Sequence, residues 1–283
     1  MQEVDILILG AGWTSTFLIP LLRHQNITYA ATSTTGRDST IRFKFDPSAS
    51  DQSYFSILPT ARNVLITFPL TGAGQSKLLV ESYKKKHPRA SPSLHFLQLG
   101  STGIWQIEDQ SLWVTRHSKY DGSKPRAVAE DELLGLGGCV LNLAGLWGGE
   151  RQPRHWVERV ASTKEKLAEK ASLHMVHGED VARAIVKVFQ RWDAAGAAGE
   201  RWMLTDGFVY DWWALFAGWA SSESKGEDSG KEDEPSRQSV WVYELMEERG
   251  VRALPRSMEQ LGRAYDSRDF WQTFGLSPAR ARI

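Results

Sequence analysis

Val4-Asp5-Ile6-Leu7-Ile8-Leu9-Gly10-Ala11-Gly12-Trp13-Thr14-Ser15 is the stretch that decides the fold. Val4–Leu9 is almost wholly apolar, the composition of a strand buried on both faces. A tight Gly10-Ala11-Gly12 turn follows at once. Phe17, Leu18, Leu21 and Leu22 then recur at helical spacing between Thr14 and Arg23, and Ile27–Ala31 is rich in β-forming residues. Strand, glycine turn, helix and strand make a βαβ unit.

The turn in such a unit has a physical use. The first N–H groups of a helix lack acceptors and the macrodipole is positive there, so the end attracts a phosphate. Gly10 permits the sharp bend and Gly12 lets the backbone approach a pyrophosphate. Ser15 stands where a third glycine is usual, small enough for close helix–strand packing and able to offer its hydroxyl to a phosphate. Ala11, Trp13 and Thr14 complete the expected phosphate-binding turn. The bland alternative is a strand–turn–helix that binds nothing.

The end of the second strand predicts which dinucleotide. An NAD site usually carries an acid about 20 residues past the glycines, to hold the ribose hydroxyls. Here the chain reads Thr32-Ser33-Thr34-Thr35-Gly36-Arg37, with no acid until Asp38. Hydroxyls from Ser33 and Thr34 and the guanidinium of Arg37 suit a 2′-phosphate, which an acid would repel. NADP(H) is therefore favoured over NAD. The alternative is a polar loop whose Arg37 is merely solvated.

Composition narrows the rest. The 283 residues are 41% hydrophobic, enough for a full core, and carry zero net charge. Neither nucleic acid nor an anionic membrane is implied as a partner. Cys139 is the single cysteine, which excludes internal disulfides and cysteine-based metal clusters, and its apolar surroundings suggest a buried strand residue. No metal site is expected. No apolar run is long enough to span a bilayer, and the first strand begins too early for a signal peptide. The expectation is a cytoplasmic protein, monomeric or homodimeric, acting on a small molecule. Among its 12 tryptophans, Trp105, Trp147, Trp212 and Trp213 lie where a pocket could form, although the last two suit a core equally well.

Further strands are predicted at Ile41–Phe45, Asn63–Phe68, Leu94–Leu99, Cys139–Ala144, Leu173–His177 and Trp202–Thr205. Phe68 and Pro69, at the end of the fourth strand, are expected to touch the cofactor. Helices are predicted at Gly74–Lys86, Pro125–Leu136, Gln152–Lys170, Glu179–Trp192, Trp212–Trp219, Val240–Glu248 and Asp269–Phe274, with a capping box at Ser257 and Gln260. Glu130, Asp131 and Glu132 read as an acidic helix face, Glu179 and Asp180 as a cap and dipole partners, and His95 and His174 as edge-strand residues. Ser221–Arg237 has no aliphatic residue and reads as a disordered loop. Alternation of strands and helices implies an α/β fold with a Rossmann-type, doubly wound parallel sheet. Residues 1–150 would hold the NADP-binding domain, and 151–283 a smaller substrate lobe over the carboxyl ends of the strands.

Together, Gly10–Ser15, Leu97–Trp105, Val140–Gly149 and His177–Ala184 resemble the extended short-chain dehydrogenase/reductase family, in an atypical epimerase/dehydratase-like form. The resemblance runs from Val4 to Phe189. It implies that Ser101 bonds a substrate oxygen and that a Tyr-x-x-x-Lys pair carries the proton chemistry. Trp105 and Leu146-Trp147-Gly148-Gly149 depart from the family pattern, which implies a remodelled pocket. Tyr120-Asp121-Gly122-Ser123-Lys124 has the required spacing. A working pair, however, needs both residues one helical turn apart on one face. Pro125 pushes Lys124 out of the α region, so Tyr120 and Lys124 could equally lie splayed on the loop before the helix.

Two functions are consistent with these residues. One is an NADP(H)-dependent oxidoreductase, or epimerase, acting on a small carbonyl or alcohol, with Ser101, Tyr120 and Lys124 as catalytic residues. The other is an NADP-binding sensor without an efficient proton donor.

Overall fold

The structure is a computed structural model that describes residues 3–88, 94–108, 111–219 and 236–283. In chain order the strands of the first part are β1 (Val4–Leu9), β2 (Tyr29–Ser33), β3 (Ile41–Arg42), β4 (Ala61–Ile66), β5 (His95–Ser101), β6 (Trp113–Val114), β7 (Cys139–Leu143) and β8 (Gly145–Trp147). Helices α1 (Trp13–His24), α2 (Gln75–Lys86) and α3 (Pro125–Gly135) connect them. Beyond these lie α4 (Val157–Val160), α5 (Lys164–Ala168), β9 (Ser172–Leu173), β10 (Met175–His177), α6 (Gly178–Gln190), β11 (Arg201–Leu204) and β12 (Tyr210–Asp211). The last elements are α7 (Trp212–Trp219), α8 (Arg237–Glu248), α9 (Met258–Leu261), β13 (Ala264–Tyr265) and α10 (Arg268–Phe274).

Why β1 forms the centre of the sheet is legible in its side chains. Ile6 and Ile8 enter the core under α1 and α6, while Leu7 and Leu9 enter the core under α2 and α3. Leu7, Ile8 and Leu9 are fully buried, each worth about 1.5–3 kcal/mol on removal from water. A strand buried on both faces needs helices on both, and the sheet supplies them in the order β3-β2-β1-β4-β5-β7-β11, seven strands, all pairs parallel. This is the doubly wound Rossmann arrangement. Its order reverses between β1 and β4, opening a crevice at the carboxyl ends of those strands. The sheet draws its last strand, β11, from beyond residue 150, and α6 packs on α1.

Several expectations are corrected. The single helix expected over Gln152–Lys170 is a short turn, Pro153–Trp156, followed by α4 and α5. The break falls at Thr163, whose Oγ1 accepts a bond from the Lys166 N–H at 3.3 Å and starts a new helix. Leu173–His177 is two short strands in different sheets, interrupted at His174, whose Nε2 accepts the Tyr265 N–H at 3.0 Å. Only Ile41–Arg42 pairs in the third strand. His95 lies in an interior strand, stacked on Trp192 with ring centroids 4.5 Å apart. Glu130 is fully buried, not part of a solvated face. Of the loop expected at Ser221–Arg237, residues 221–235 lie outside the described residues. Ser236 caps α8 and Arg237 opens it. Among the described residues, no helix is long and apolar enough to cross a membrane.

Candidate functional site

The crevice opens at the glycine turn. Gly10 has φ +95°, and a Cβ there would fall 2.7 Å from Thr67 Oγ1, so only glycine fits. A Cβ on Gly12 would meet nothing within 4 Å, so this residue faces open space. Gly12 is also the N-cap of α1 and brings no side-chain cap. The leading N–H groups of Trp13 and Thr14 therefore depend on something outside the helix. Ser15 is 4% exposed and its hydroxyl has no partner among the described residues. A buried orphan hydroxyl costs free energy unless something bonds it.

β2 is stitched to this turn. Thr32 Oγ1 accepts the Gly10 N–H at 3.0 Å and Thr32 O accepts the Ala11 N–H at 2.6 Å. At the strand's end, Ser33 Oγ accepts the Gly36 N–H at 2.9 Å and bonds Thr40 Oγ1 at 2.7 Å, which folds the loop back. Thr34 is exposed. Arg37 reaches over the turn, its Nη2 donating to Ala11 O at 3.3 Å, while its Nε stands 3.8 Å from the Asp38 carboxylate. A cavity of about 280 Å³ lies between, lined by Ala11, Gly12, Ser15, Thr16, Arg37 and Thr40, among others. Phe68 packs beside Gly10 and stacks on Phe45 with centroids 6.0 Å apart; Pro69 is exposed.

At the end of β5, Ser101 Oγ accepts the Gly103 N–H at 3.2 Å and caps the turn Thr102–Trp105. Lys124 has extended backbone (φ −60°, ψ 131°) and Pro125 is the first residue of α3. Its ammonium donates to Gly103 O at 2.8 Å and to Gln106 O at 3.0 Å. Tyr120 turns elsewhere. Its hydroxyl donates to an Asp131 carboxylate oxygen at 2.8 Å, and the Arg201 guanidinium lies 4.5 Å from its ring centre. Burial, and then the bond to Asp131, raise the Tyr120 pKa. Proline after Lys124 thus keeps the Tyr–Lys spacing off the helix. Ser101 and Lys124 meet at one turn, and the Tyr120 hydroxyl is committed to Asp131.

Sequence reasoning missed what lies under that turn. Asn142, on β7, donates to Ser101 O at 3.1 Å and to a buried Glu130 oxygen at 2.8 Å. Arg201 reaches the same Glu130 oxygen at 3.2 Å and Asp131 at 2.9 Å. A Cβ on Gly100 would fall 2.5 Å from both Asn142 Nδ2 and Glu130 Oε1, so glycine makes room for this network. Burial raises the Glu130 carboxyl above its ordinary pKa. Tyr265, given no element by the sequence, donates its hydroxyl to Thr102 O at 3.1 Å. These contacts join distant parts of the chain, and only the glycine at 100, adjoining Ser101, hinted at them. Cys139 is fully buried and burial pushes its thiol pKa up, so it is no nucleophile.

A second cluster borders the glycine turn from the far side. Trp13 Nε1 donates to Gly148 O at 3.3 Å, and Phe17 lies against both Trp13 and His177. His177 caps α6, its Nδ1 accepting the Glu179 N–H at 3.1 Å. Trp147 meets His177 edge-on at 4.6 Å, and its buried indole N–H has no partner among the described residues.

Fold and glycine turn together define a class of architecture: a Rossmann-type fold similar to that of solved structures described as an NAD-dependent epimerase/dehydratase and a dTDP-glucose 4,6-dehydratase. No family model matches the sequence, and no curated protein does. Solved structures do match. A functionally unknown conserved protein from Silicibacter pomeroyi is 15% identical at TM-score 0.63, over 98% of this chain and 94% of its own. A short-chain dehydrogenase/reductase superfamily protein from Agrobacterium tumefaciens with bound NAD is 13% identical at TM-score 0.59, over 99% and 93%. Gre2 from Candida albicans in complex with NADPH is 11% identical at TM-score 0.58, over 98% and 95%.

Proposed function

We propose that the chain is an NADP(H)-dependent oxidoreductase of the short-chain dehydrogenase/reductase type, acting on a small carbonyl or alcohol. The observation that carries this is the helix N-terminus at Gly12: uncapped, facing open space, with the buried Ser15 hydroxyl lacking a partner. Those residues fit a dinucleotide diphosphate. Matching folds are known with NAD and with NADPH, so either coenzyme is compatible with the fold. The choice of NADP(H) rests on Arg37, Ser33 and Thr34 at the end of β2.

The bound coenzyme would supply or accept hydride. Gly10, Ala11, Gly12, Trp13, Thr14 and Ser15 would hold its diphosphate, and Phe68 and Pro69 would flank it beside β4. Ser101 would orient the substrate oxygen. Lys124 would hold the turn beneath it in shape. Tyr120 is the proposed acid, and to act it must exchange Asp131 for the substrate. That commitment to Asp131 favours a second reading, a coenzyme-binding sensor with little turnover.

Calorimetric titration with NADPH and NADH, followed by a carbonyl panel read by NADPH absorbance, tests both readings. Binding with turnover that falls at least about a hundredfold in Tyr120→Phe supports the enzyme, as loss of a general acid should. Binding without turnover supports the sensor. No binding of either coenzyme refutes both.

A further inference from the structure

We propose that Arg151 is a second cation of the diphosphate site, seated there by Trp13 and acting on NADP(H) and NAD(H) alike. The proposal rests on the coenzyme reading above and adds a residue that neither the glycine turn nor the family resemblance points to.

Trp13 is the first residue of α1, so its own N–H belongs to the open helix end. Its indole N–H holds Gly148 O at 3.3 Å. Gly148 and Arg151 form an antiparallel bridge, Gly148 N–H to Arg151 O at 2.9 Å and Arg151 N–H to Gly148 O at 3.1 Å. The bridge turns Arg151 back over the tryptophan, with its guanidinium 4.5 Å from the ring centre. A guanidinium stacked on an aromatic face keeps its N–H edge free for an anion. Arg151 is exposed and its side chain has no hydrogen bond or ion pair among the described residues, so its charge is available to an anion. Gly148 has no room for a side chain, because His177 Nε2 would lie 2.3 Å from a Cβ placed on it. Trp13 therefore touches both ends of the bridge, bonding Gly148 O through its indole N–H and carrying the Arg151 guanidinium on its ring.

Two arginines thus flank one glycine turn with different tasks. Arg37 reaches it from β2, on the ribose side, and reads the 2′-phosphate. Arg151 comes from the segment after β8 and stacks on the ring of Trp13, the first residue of α1; its proposed ligand is the diphosphate that both coenzymes share. On the same helix end, Ser15 adds an independent polar group, a buried hydroxyl without a partner among the described residues that lines the cavity beside Gly12.

The full chain is titrated calorimetrically with NADPH, NADH and inorganic pyrophosphate. Arg151→Gln is expected to weaken NADPH and NADH by the same factor, about tenfold, as loss of one charge-assisted contact implies, and to weaken pyrophosphate too. Arg151→Lys keeps the charge without the fork and should recover part of the loss. Arg37→Glu, in contrast, should depress NADPH selectively. If Arg151→Gln and Arg151→Lys both leave the two coenzymes within about twofold of the unmodified chain, a shift too small for a lost ion contact, the assignment of Arg151 falls while the coenzyme reading stands. An unmodified chain that binds neither coenzyme nor pyrophosphate overturns the reading and the assignment together.

Discussion

Arg37 and Gly148 show how differently single residues constrain this site. Among the described residues the Arg37 side chain makes one hydrogen bond, to Ala11 O, and one loose ion pair, with exposed Asp38, so its charge is available to a ligand. Arg37→Glu should cost NADPH affinity far more than NADH affinity, and equal losses in parallel titrations would remove the case for NADP(H). Gly148 has no such freedom: its φ is +111° and a side chain would strike His177. Gly148→Ala should lower stability by about 2–3 kcal/mol through left-handed strain and the clash, read as a shift in urea midpoint. At this scale the turn Gly10-Ala11-Gly12 was legible in the sequence, because a bend and a close approach are local demands. The partner of Tyr120 was not. Spacing shows which residues can share a helix face, but not that Arg201, on the last strand of the sheet, would draw Tyr120 toward α3.

Among elements, α6 carries more than its amphipathic pattern announces. Asp180, in its first turn, is fully buried and accepts the Ala279 N–H at 2.9 Å and the Arg280 N–H at 3.0 Å, tying down the C-terminal segment. Arg183 bonds the same carboxylate and Ser277 O. The sequence suggested a dipole partner for the helix; the observed role is a strap, which needs a contact no periodicity encodes. Asp180→Ala should cost about 3 kcal/mol, since it removes a buried carboxylate that holds two backbone N–H groups and the Arg183 guanidinium. A melting temperature within a degree or so of the unmodified chain would contradict that, given the expected shift of about 2–4 °C per kcal/mol for a protein of this size. The long helix expected over Gln152–Lys170 failed for a similar reason. Trp156, Val157, Val160 and Leu167 are spaced for one stripe, yet Thr163 prefers to cap a new turn.

Over the molecule as a whole, the strand and helix alternation was readable and the sheet order was not, because periodicity is silent about neighbours. One titratable group gives the fold a pH signature. Asp206 follows β11, is 2% exposed, and accepts the Tyr210 hydroxyl at 2.5 Å and the Phe208 N–H at 3.0 Å. Burial outweighs those bonds and pushes its pKa up to about 6, from 3.8. Its folded pKa lies above the unfolded one, so the protonated form is favoured by folding. The corresponding stability is fully present below pH 3.8 and is lost as pH rises through about 6. The loss should be on the order of 2–3 kcal/mol. Asp206→Asn should flatten this slope between pH 4 and 7 in chemical denaturation, and an unchanged slope would exclude Asp206 as its source.

The placement of β11 has a consequence for how the chain is made. The opening βαβ unit cannot bury its own flank: α1 waits for α6, and β7 waits for β11. During synthesis the nucleotide-binding turn would emerge early yet stay on a half-covered surface until α6 leaves the ribosome, and the sheet would stay open at β7 until β11 follows. A fragment ending at residue 150 should accordingly be sticky and chaperone-bound, however complete its glycine turn looks on paper.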